Sequence, residues 1–127
     1  MRAIDECKQL MLSVPNIDKV YMYAIPKDAL DTVDQTQCLL REVQMFTGED
    51  GNNSFNSYST EIEIQIFFKL NIDFDTEQFQ VKLLQLLQQN DYEVYTFGGM
   101  VEDPQTKQLT STIYVQSWKL INKEEQQ

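Results

Sequence analysis

The chain has 127 residues, 42% of them apolar and 24% charged, which is ordinary for one globular unit able to bury a core. It carries a net charge of −10 and no histidine. The missing imidazole excludes histidine-based catalysis, the usual triads and the common zinc motifs, and the acidity disfavours direct binding to a phosphate backbone.

Residues 2–13 predict a helix. Ile4, Cys7, Met11 and Val14 recur at helical spacing, Leu10 widens the stripe, and Pro15 ends it. The N-terminus, MRAIDECKQL, has no apolar run, so the sequence predicts no signal peptide and an intracellular protein at synthesis. Residues 20–25, VYMYAI, predict a strand closed by Pro26, and KDALDTVDQTQ a polar connection with room for one short helical turn. Residues 37–43 predict a second strand. Residues 47–57, TGEDGNNSFNS, predict a loop rich in glycine, asparagine and serine. Phe55 within it either folds back onto the domain or stands as an anchor for a partner.

Residues 58–70 predict a long strand. Ile62, Ile64, Ile66, Phe68 and Leu70 fall on one face, against Glu61, Glu63, Gln65, Phe67 and Lys69 on the other. Phe67 is off-pattern, which marks that face as partly covered or as a subunit contact. A helix follows, with Asp75 as N-cap, Gln78 placed for a capping box, and Asn90 as a left-handed stop. Its apolar face holds Phe79, Leu83, Leu86 and Leu87, extended by Val81 and Leu84.

Residues 92–97 predict a strand with Tyr92, Val94 and Thr96 on one side and Glu93, Tyr95 and Phe97 on the other. Gly98-Gly99 breaks it, Met100-Val101 resumes it, and Pro104 sets a turn. The last strand, residues 109–120, places Leu109, Ile113 and Val115 opposite Tyr114 and Trp118. Tyr114 and Trp118 belong either to a second small core or to a subunit interface. The order α-β-β-β-α-β-β predicts an α+β fold: a mostly antiparallel sheet of about five strands packed by two helices. Residues 1–121 form one domain and 122–127 a polar tail.

No constellation predicts an enzyme, a metal or a cofactor. Asp73 and Asp75 lack the glycine and glutamate of a calcium loop, since Gln78 and Leu84 hold those positions, and read as capping groups. Asp31, Asp34, Glu49 and Asp50 lack metal-ligand spacing. Gly98-Gly99 lacks the spacing of a nucleotide loop, and Lys69 and Lys82 read as solvent-side. Cys7 and Cys38 read as buried small hydrophobes.

Three segments carry a resemblance: VYMYAIPKDA (residues 20–29), EIEIQIFFKLNIDFDTEQFQ (61–80) and DPQTKQLTSTIYV (103–115). In that order and at those distances they resemble a family of small siphophage and prophage proteins of Gram-positive hosts. That family is described as a domain of unknown function and associated with the neck and tail-completion region. The resemblance implies a tail-terminator-like protomer that forms a ring, often a hexamer, on the tail tube. The ring would stop tube growth, accept the head-completion or connector protein, and let DNA pass without specific binding. It implies a virion location after assembly in the host cytoplasm and no catalytic residues; the sequence itself predicts no membrane contact, since no segment approaches the ~20 apolar residues of a membrane helix. Phe55, Phe67, Tyr114 and Trp118 are the candidate interface. A competing expectation is an acidic inhibitory module that mimics DNA and occupies a host enzyme's nucleic-acid site.

Overall fold

The structure is a computed structural model and describes residues 1–49 and 55–120. Its order is α1 (Ala3–Leu12), β1 (Lys19–Met22), a 3₁₀ turn (Lys27–Ala29), β2 (Gln37–Glu49), β3 (Phe55–Phe67), α2 (Thr76–Gln89), β4 (Tyr92–Phe97), β5 (Val101–Glu102) and β6 (Leu109–Leu120). The strands make one sheet in the order β1-β2-β3-β6-β4, with β5 also pairing β6. Among the described residues only β1 and β2 run parallel, and every other pair is antiparallel. The fold is therefore α+β, as the sequence predicts, with the two-residue β5 as a sixth strand.

The two helices lie on one face. Ile62, Ile64, Ile66 and Phe68 of the alternating segment are fully buried beneath them, beside Cys38, Leu40, Ile113 and Val115. Ile4, Cys7 and Met11 of α1, and Phe79, Leu83 and Leu87 of α2, close the core from above. Phe68 sits at the hinge between sheet and α2, with ring centroids 6.1 Å from Phe74 and 5.4 Å from Phe79. Asp75 caps α2, its carboxylate accepting from the backbone N–H groups of Glu77 at 3.0 Å and Gln78 at 3.1 Å. That satisfies donors that the helix leaves unpaired.

The structure corrects several boundaries. β1 ends at Met22 rather than residue 25, because Tyr23 takes a left-handed backbone (φ 73°) and turns the chain away. Leu70 lies beyond the end of β3 and is exposed rather than on the buried face. Val81 is also exposed, since the buried stripe of α2 is narrower than predicted. The predicted loop 47–57 is largely strand: β2 runs on to Glu49 and β3 starts at Phe55, leaving residues 50–54 outside the described residues. Cross-strand pairing overrides the loop-like composition there, with Thr47 opposite Tyr58 and Gly48 opposite Ser57. Gly48 suits its place, because a Cβ there would run into the Ser57 hydroxyl.

A bulge makes a further correction. Val94 pairs with Val115 but Thr96 pairs with Tyr114, so Tyr95 is the extra residue. One extra residue reverses the faces that follow it. Thr96 therefore shares the helix-free side with Tyr114, and Phe97 lies opposite Ile113 on the helix side.

Candidate functional site: the open face and projecting edge of the sheet

The helices cover only part of the sheet. On β2 their cover ends near Glu42, while at the β6 side α1 still reaches Lys119, whose ammonium donates to the Glu6 carboxylate at 2.9 Å; β2 continues past the cover. A second bulge, at Val43, falls where that projection begins. The projecting part of β2 exposes three apolar side chains in four residues: Val43 at 47%, Met45 at 61% and Phe46 at 38%. Register places Met45 on the helix side, level with Thr60, and Phe46 on the open side, level with Ser59 and Trp118. Trp118 is 49% exposed, and Ser59, flanked by these two aromatics, is fully buried with an unpartnered hydroxyl. The apolar surface thus wraps both faces of the projection.

Below this lies a polar network on the open face. The Gln44 amide donates to the Glu61 carboxylate at 2.7 Å, and Glu61 is buried. Glu63 takes the Arg41 guanidinium at 3.0 Å on one oxygen and the Tyr114 hydroxyl at 2.7 Å on the other. Accepting that bond, and adding a nearby negative charge, Glu63 raises the Tyr114 pKa above its ordinary value. The Tyr95 ring lies 6.4 Å from that of Tyr114.

The four predicted interface residues divide. Tyr114 and Trp118 share the open face, two rows apart. Phe67 lies on the same face, half-buried and level with Gln37 and Thr110, towards the far end. Phe55 opens β3 opposite Glu49, and its side chain falls outside the described residues. Val43, Met45 and Phe46 lie outside the predicted interface, because the predicted strand stops at residue 43. Three of the four residues 43–46 are apolar, but Val43 and Met45 fall out of phase with Cys38 and Leu40, and only the bulge at Val43 brings Met45 to the helix side.

Several other polar residues have roles in the fold. Asp73 pairs with Lys69 at 3.0 Å, which holds its carboxyl below the usual range. Asp103 accepts from the N–H groups of Gln105 and Thr106 and stabilises the turn before β6. Cys7 and Cys38 are fully buried and free, and burial pushes the Cys7 thiol up to about 12. Among the described residues, no group of three His, Cys, Asp or Glu is placed to hold a metal. Shallow grooves flank α1 and α2; one of about 210 Å³ is lined by Val14, Pro15, Phe74 and Phe79 with Asp75 and Lys82. No described helix is long and apolar enough to cross a membrane.

Among the described residues, the exposed apolar projection of Val43, Met45, Phe46 and Trp118 is the surface that stands out. No curated protein matches the chain. A family model does, over residues 3–120, spanning α1 to the end of β6. The chain belongs to the family described as "Protein of unknown function (DUF806)".

Proposed function

We propose that this protein is a non-catalytic structural component of a phage virion: a ring-forming tail terminator or tail-completion protein. In this role it caps the tail tube, stops tube growth, and offers its other side to the head connector. The observation that carries the reading is the projecting sheet, whose exposed Val43, Met45, Phe46 and Trp118 form one apolar surface beyond the helix layer. Apolar surface gathered in one place marks a protein contact. The resemblance of residues 20–29, 61–80 and 103–115 to tail-completion proteins supplies the kind of partner. The charge of −10 suits a conduit, since acidic walls let DNA slide without sticking.

The alternative of a DNA mimic draws less support. Mimicry needs free carboxylates in phosphate-like rows on one face. Here Asp5 is held by Arg2, Glu6 by Lys119, Glu63 by Arg41 and Asp73 by Lys69, on several different elements. Light scattering over a range of protein and salt concentrations tests the proposal. Closed oligomers, formed alone or on added tail tube protein, are expected. A strict monomer under all these conditions, tube included, counts against it.

A further inference from the structure

The sheet has two open edges. β1 shields β2 only from Gln37 to Leu40; Tyr23 donates its N–H to the Leu40 carbonyl and then turns away. From residue 41 to residue 49, β2 has no described neighbour on that side. At the other end of the strand order, β4 pairs with β6 and has no described neighbour beyond it. A long open edge with exposed apolar side chains is a template for another strand, and natural sheets rarely leave one bare.

The two edges match each other. Val43, Met45 and Phe46 are exposed on the first; Tyr95 at 43% and Phe97 at 40% are exposed on the second, with Val101 just beyond. Directions match too. β2 is antiparallel to β3, β3 to β6, and β6 to β4, so β2 and β4 run opposite ways. A second copy turned the same way therefore sets its β4 antiparallel to β2, as in every pairing of this sheet but one.

We propose that residues 44–48 of β2 in one copy pair with β4 of the next copy, joining the sheets edge to edge with their open faces on the same side. Between the bulges at Val43 and at Gly48/Glu49, β2 keeps a regular stretch at residues 44–48, about the length of β4. The bulges limit the pairing to that stretch and bend the joined ribbon, which favours curvature over a flat stack. Each junction leaves a free β2 at one end and a free β4 at the other, so the contact repeats until it closes. Closure into a ring rests on the function proposed above; the edge pairing does not. Copies carrying −10 each repel, so association strengthens as salt is added.

Cysteine cross-linking of the full-length chain tests the pairing. Cys7 and Cys38 are fully buried, so in the folded protein a short bifunctional maleimide reports only on introduced cysteines. Met45→Cys and Phe97→Cys, both on the helix side, are each expected to give no dimer alone. Mixed, they are expected to give a dimer containing one of each, and the double variant a ladder that stops at the ring number. In parallel, Met45→Glu is expected to weaken association about tenfold or more, while Lys82→Gln on α2 leaves it unchanged. Melting curves establish that each variant is folded. A dimer from Met45→Cys alone, or no cross-link while the wild type assembles, overturns the edge pairing and leaves the ring proposal standing. A ladder that does not terminate upholds the pairing and removes the ring. A wild type that stays monomeric, even with tube protein present, overturns both.

Discussion

Replacing Phe68 with alanine is the sharpest test of how sheet and α2 are joined. Phe68 is fully buried, and its ring meets those of Phe74 and Phe79, which are themselves 5.5 Å apart. Truncating a buried phenylalanine costs about 3–5 kcal/mol in lost transfer energy and residual cavity. Each aromatic contact adds about 0.5–1.5 kcal/mol beyond area. A value near 4 kcal/mol is a large share of the roughly 5–15 kcal/mol that holds a domain folded. At a few degrees per kcal/mol, Tm should fall by about 10–15 °C. Calorimetry with urea titration measures it, with the exposed Phe97→Ala as comparison. A double-mutant cycle with Phe79→Ala should return a coupling of about 1 kcal/mol. If Phe68→Ala costs no more than Phe97→Ala, or the coupling is zero, the aromatic cluster does not anchor α2.

Asp75→Ala removes the carboxylate that caps α2 and should cost about 1 kcal/mol in urea titration, with Asp75→Asn or Asp75→Ser recovering most of it. Tyr114→Phe deletes the donor to Glu63 and should cost about 1 kcal/mol while leaving far-UV circular dichroism unchanged. Asp103 has its pKa held below the ordinary 3.8 by the backbone N–H groups of Thr106 and Gln105. A depressed carboxylate stabilises the fold above its unfolded pKa, and that stability is lost as pH falls through the folded value. The Tm gap between wild type and Asp103→Ala should therefore be full near neutral pH and narrow as pH drops below 3.8.

Most of the architecture is legible in local pattern, and the misses share one cause. The alternation at residues 62, 64, 66 and 68 depends only on the period of a strand, and all four positions are buried. The Asp75 cap and the stripe of Phe79, Leu83 and Leu87 are equally local signals. The stretch 47–57 reads as a loop in sequence because its strand character comes from the partner strand, not from its own glycines and asparagines. The bulges at Val43 and Tyr95 leave no compositional trace, yet the second one decides which way Thr96 and Phe97 face. The candidate contact surface was half visible. Trp118 and Tyr114 follow from strand alternation. Val43, Met45 and Phe46 become a surface only because β2 outruns both β1 and the helix layer, a property of the assembled sheet.

Electron microscopy of tail tubes mixed with the purified protein tests the central claim most directly. The account predicts closed rings of this chain seated on one end of each tube, with tube growth halted there. Tubes that keep growing with bare ends, beside protein that remains monomeric, would contradict it.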